Sequence, residues 1–134
     1  MAVGRIGSDR QTVGFLRKTV NYNDTGVATG VLMGYLPAGA HILYCSVHVR
    51  TAFNAGTTNV LTVGTAGGSN ADIAGASTVT EGTPGYYGGV PVSDITYPTG
   101  DLAIYAQYTQ TGTAATTGKA DCVVAYVFDD ALYN

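Results

Sequence analysis

Two histidines, two cysteines and nine carboxylates are the groups in this 134-residue chain with the most obvious chemistry. His41 and Cys45 fall on one face of an extended strand, but four residues separate them by about 13 Å, too far to chelate one ion. His48 falls on the face opposite His41. Cys122 can approach Cys45 across a core only as a pair of buried thiols, which is packing rather than a site. The carboxylates are scattered singly apart from Asp129-Asp130, whereas a glycosidase needs two at a fixed separation. Glu81, the sole glutamate, sits in EGTPGYYGG with no evident partner and reads as a solvated loop residue. No serine occupies a G-x-S-x-G elbow. The glycine-rich VGTAGGSN, residues 63–70, lacks the Lys-Ser/Thr ending of a phosphate loop and precedes no helix, so it reads as a turn. Asn23-Asp24-Thr25 matches a glycosylation acceptor, but with no secretory signal visible it also reads as a turn. These groups form no catalytic constellation, and they imply neither metal nor cofactor.

The charges are few and unevenly placed. Charged residues make up 11% of the chain, against about 25% in an ordinary soluble domain. Residues 1–18 hold Arg5, Arg10, Arg17 and Lys18 against Asp9 alone, a surplus of three positive charges. Residues 19–134 hold Arg50 and Lys119 against eight acids, an excess of six negative ones. A basic arm on an acidic body is suited to an acidic protein surface. Six basic residues and a pI near 4.9 oppose a nucleic-acid-binding surface. The longest apolar run, Cys122–Phe128, spans seven residues, far short of the roughly 20 that a membrane helix needs. Two cysteines are too few for a disulfide framework, and a reducing cytoplasm would keep them as thiols.

The elements that must position these residues are strands. Val, Ile, Thr and Tyr total 49, while Leu, Glu, Lys and Gln total 13, which excludes a helical bundle. Strands are expected over 15–22, 27–36, 41–50, 59–65, 102–110 and 119–128, with short ones around 77–80 and 86–92. In 27–36 the odd residues Val27, Thr29, Val31, Met33 and Tyr35 share a face. In 41–50, Leu43, Cys45, Val47 and Val49 point inward and Tyr44, Ser46, His48 and Arg50 outward. Leu102, Ile104, Ala106 and Tyr108 form one face of the next-to-last strand, and Cys122, Val124, Tyr126 and Phe128 one face of the last. Pro91 limits its strand to an edge position. About eight strands with no helix describe an all-β fold: a two-sheet antiparallel sandwich, jelly-roll-like, spanning residues 15–134 as one domain. Residues 1–14 form an extended basic N-terminal arm ahead of it.

Ten tyrosines and no tryptophan favour protein contact over a sugar-stacking platform, with Tyr44, Tyr86, Tyr87 and Tyr105 placed on faces or loops. The stretch LPAGAHILYCSVHVRTAFNAGTTNVLTVGTAGGSNADIAG, residues 36–75, resembles a segment of small virion proteins of tailed bacteriophages. There an LPAGA turn, an alternating strand, TAFN-G and VGTAG follow in that order. The resemblance implies a jelly-roll cement or decoration protein, made in the host cytoplasm and carried on the capsid exterior. Its partner would be the major capsid protein, and the chain would self-associate as a dimer or trimer. On that reading Arg5, Arg10, Arg17 and Lys18 form the capsid-binding arm. A tail- or head-fibre module that recognises a surface glycan is the alternative, because the resembling segment is a strand scaffold.

Overall fold

A computed structural model describes residues 13–95 and 98–128. Seven antiparallel strands run in chain order: β1 (Gly14–Asn21), β2 (Val31–Leu36), β3 (Ala40–Thr51), β4 (Thr58–Gly64), β5 (Gly85–Gly89), β6 (Leu102–Thr111) and β7 (Lys119–Phe128). They form a four-stranded sheet ordered β1-β7-β3-β5 and a three-stranded sheet ordered β2-β6-β4. Every successive strand changes sheet, and the first strand lies beside the last. This is the interleaving of a jelly roll, with the strand between β4 and β5 reduced to one bridge between Val63 and Ala74. The only helical turn among the described residues is a 3-10 turn at Ala66–Gly68.

The inward residues of both sheets make one core. Val20, Cys45, Val47, Val49, Cys122 and Val124 come from the larger sheet, and Leu61, Val63, Ile104, Ala106 and Tyr108 from the smaller. Phe53 closes one end, its ring 4.6 Å from that of Tyr108. The Tyr108 hydroxyl donates to Asn59 Oδ1 at 2.6 Å, so the buried phenol keeps a partner.

Bulges redirect two of the expected faces. In β3 the register slips at Leu43, so Ala40 and Ile42 turn inward before it and Cys45, Val47 and Val49 after it. His41, paired with Val127, therefore shares the outward side with His48, paired with Asp121, and does not share a face with Cys45. In β2 the slip falls at Met33. Met33 and Leu36 are buried while Tyr35 is 55% exposed, so Tyr35 leaves the face it was expected to share. Gly34 takes the left-handed φ of +153° at that step, and a side chain there would press on Leu16. Residues 27–30 form a turn rather than the start of β2, and Val27 is pinned by its carbonyl, which accepts from Tyr108 N. The cysteines are diagonal neighbours on β3 and β7 of one sheet rather than partners across the core.

No strand forms over 77–80, and the segment 66–84 covers the open edge of β4 in another way. Ala74 exchanges backbone hydrogen bonds with Val63 at 2.8 and 3.0 Å. One bridge further on, Glu81 turns its carboxylate inward and accepts the Leu61 N–H at 2.8 Å. Glu81 is thus buried, not solvated; a side chain supplies the acceptor that a neighbouring strand would have offered. Burial pushes its carboxyl above the usual glutamate range, against the hydrogen bonds from backbone N–H groups. The glycine-rich turn also has an internal purpose. It cradles the Asp72 carboxylate, which accepts from Thr65 N at 2.7 Å and Thr65 Oγ1 at 2.5 Å, and a side chain at Gly64 or Gly68 would collide with it.

Candidate functional site

The outer face of the four-stranded sheet gathers residues from four segments far apart in the chain. Strand pairing sets them in rows. Phe15, Ala125 and Tyr44 make the first; Arg17, Val123, Ser46 and Gly88 the second; Thr19, Asp121, His48 and Tyr86 the third. The middle row is built of small residues beyond Arg17, and the rows beside it carry rings. The result is an open groove of about 480 Å³ lined by Phe15, Arg17, Ser46, His48, Tyr86, Asp121 and Val123. Ala125 lies on this outward side yet is fully buried, flanked by Phe15 and Tyr44.

The Tyr86 ring and the Asp121 carboxylate are each held in place by neighbours. Tyr86 is 75% exposed, but its ring stacks on His48 with centroids 4.1 Å apart and planes 11° from parallel. Asp121 is held from two sides: Arg50 Nε and Nη2 reach it at 2.9 and 3.0 Å, and the Thr19 hydroxyl donates at 2.7 Å. Burial by itself would raise this carboxyl, but Thr19, Arg50 and the nearby Arg17 outweigh it and hold the group below the usual aspartate range. Arg17 is exposed and makes no ion pair among the described residues.

Ser46, His48 and Asp121 have the residue types of a hydrolytic triad and share this face. They are not coupled as one: no hydrogen bond joins them among the described residues, and Asp121 directs both oxygens at Arg50 and Thr19. Among the described residues, no base is hydrogen-bonded to the Ser46 hydroxyl. The arrangement is one of contact: rings, a cation and a small hydroxyl on a rigid sheet.

Among the expected site residues, Arg17, Tyr44 and Tyr86 lie together on this face. Lys18 alternates to the other side of β1 and is half-buried, while Arg5 and Arg10 lie outside the described residues. Tyr87 packs against the core and donates to the Thr83 carbonyl at 2.6 Å. Tyr105 sits on β6 of the opposite sheet, opposite Leu32 and Gly64. Phe15, Ser46, His48, Val123 and Asp121 were not expected as site residues. Alternation in β3 did mark Ser46 and His48 as outward, but which strands flank β3 is a matter of topology, and short-range spacing does not encode it.

The cysteines contribute nothing to a surface. Both are buried, and burial pushes the Cys45 thiol up to about 12 and the Cys122 thiol up as well. The described residues hold no group of His, Cys, Asp and Glu that could bind a metal ion. A second cleft, about 380 Å³, opens at one end of the sandwich between the start of β3 and residues 90–95, with Ile42, Leu43, Val90 and Pro91 in its lining. No helix among the described residues is long and apolar enough to cross a membrane.

No protein-family model matches the chain, and no curated protein sequence matches it. Among solved structures, a chain of the cyanophage Pam1 capsid asymmetric unit is similar in fold. Its TM-score is 0.66 at 24% sequence identity, over 88% of this chain and 86% of that one.

Proposed function

We propose that this chain is a structural protein of a phage virion, a head decoration or cement protein that binds the outside of the capsid and links neighbouring major capsid subunits. The observation that carries the reading is the shared jelly-roll fold with a chain of a capsid asymmetric unit over nearly the whole length. The uncoupled Ser46, His48 and Asp121 and the contact-type groove support a binding role without catalysis. Repeated weak contacts on a lattice add up to a large collective stabilisation through multivalency. The chain acts as a dimer or trimer on the capsid exterior, and the basic segment with Arg5, Arg10, Arg17 and Lys18 contributes to docking.

Densitometry of purified virions tests the reading. A cement protein is present in a copy number on the order of hundreds per particle, as a multivalent lattice requires. A few tens of copies or fewer would sink it. Deleting residues 1–14 is expected to weaken binding to heads in a salt-dependent way and to leave thermal unfolding nearly unchanged; unaltered binding would remove the arm from the account. The exposed Tyr86 ring, which lines one groove with Arg17, favours one second reading, a glycan-recognition module of a fibre. Specific binding of the isolated protein on a glycan array would support that module over the decoration protein.

A further inference from the structure

Charge in this molecule is sorted by sheet. Every lysine and arginine among the described residues lies on the four-stranded sheet: Arg17 and Lys18 on β1, Arg50 on β3 and Lys119 on β7. Strands β2, β4 and β6 carry no charged residue at all. Of the six described acids, only Asp121 lies on a strand; Asp24, Asp72, Glu81, Asp94 and Asp101 lie in connections. By alternation Lys119 faces the same side as Asp121 and Val123, so Arg17, Arg50 and Lys119 share the outer face with a single carboxylate. That face also carries three exposed rings, Phe15 at 57%, Tyr44 at 43% and Tyr86 at 75%.

We infer that the outer face of the four-stranded sheet is the docking surface, and that its partner is an acidic protein surface with an apolar side chain that seats in the groove between Phe15 and Tyr86. The inference rests on the decoration-protein reading and names which face meets the shell. Charge complementarity selects the partner: the face is cationic on a chain that is otherwise acidic. Its exposed rings and small floor provide the anchor pocket that protein interfaces use, and Arg17 is available to a partner's carboxylate. A nucleic acid fits less well, because three cations set around one carboxylate fall short of the 6–10 or so phosphate contacts of a strong binder. Among the described residues, a second copy offers acids outside this face only singly in loops, and its own groove face repels by like charge.

The test uses the full chain and particles assembled without it, with co-sedimentation as readout and thermal unfolding as the check on each variant. Arg17→Glu with Lys119→Gln is expected to weaken binding about tenfold or more at low salt and to flatten its salt dependence. Tyr86→Ala is expected to cost about tenfold with little salt dependence. Tyr35→Ser, on the exposed side of the uncharged sheet, is expected to bind as the parent does. Parent-like binding by the charge variant overturns the inference while the decoration reading stands, and so does loss confined to Tyr35→Ser. Failure of the parent chain to bind particles overturns both. Arg17-dependent binding to a short DNA duplex or a free saccharide, uncontested by particles, overturns the inference in favour of those ligands.

Discussion

Two carboxylates in this protein respond to pH in opposite directions. Glu81 is raised by burial, so the folded state holds its proton more tightly than the unfolded chain, whose value is near 4.5. Its contribution to stability is fully present below that value and is lost as pH rises through the higher folded value. Asp121 is depressed below 3.8, so its contribution is present above that value and is lost as pH falls through the folded one. Urea unfolding followed against pH should therefore lose its decline above pH 4.5 in Glu81→Gln, which keeps an acceptor for Leu61 N–H. Glu81→Ala removes that acceptor and is expected to cost about 1–3 kcal/mol for the unpaired buried N–H. An Asp121→Asn chain should instead flatten the acid limb below 3.8. The thiols give a simpler expectation. With Cys45 pushed up to about 12 by burial, neither cysteine should react with a disulfide reagent at pH 8 in the folded protein, and both should react in denaturant.

Strand β5 carries the most exposed ring and is also the most vulnerable element. It is five residues long, lies at a sheet edge, and pairs only with β3. Gly88 takes a φ of +135°, and a side chain there would run into the Cys45 carbonyl oxygen. Gly88→Ala should cost about 1–3 kcal/mol in backbone strain alone and pull Tyr86 off His48. The second effect is readable as loss of ring-current shift on the His48 protons. The elements also mark how far local pattern reaches. The alternations in β6 and β7 held through Leu102, Ile104, Ala106, Tyr108, Cys122 and Val124 because neither strand is bulged on its inward face in its pairing with both neighbours. The alternations of β3 and β2 broke at Leu43 and Met33, where one extra residue reverses the faces. Gly34 is a local mark of the second bulge, whereas nothing in the residues around Leu43 separates the first from a regular strand. Glu81 reads as solvated in the sequence, yet is buried, for a related reason. Its loop is turn-rich and polar, and only the missing strand beside β4 makes a buried carboxylate useful there. The groove lay further out of reach, since its rows exist only once β7 has inserted between β1 and β3.

At the scale of the whole molecule, that insertion governs folding. Thr19 meets Asp121 across a separation of 102 residues, and β1 has no partner in its sheet other than β7. Such long-range pairing places refolding of the isolated protein in the range of about milliseconds to seconds. Stopped-flow mixing should find one main phase there, and a microsecond phase carrying most of the amplitude would contradict it. The separation of charge by sheet is a property of the same scale. It turns a chain with a modest net charge of −3 into a body with chemically distinct sides, so orientation on a partner is set before close contact.

The sealed margin of β4 has a bearing on crowding. An unprotected strand margin invites a neighbour's backbone to join it, and at high local concentration that route leads to fibres. Here Ala74 occupies one position along the margin and the Glu81 carboxylate another. Copies packed side by side can press their surfaces together without the smaller sheet growing sideways through β4, so a high local density need not become a hazard.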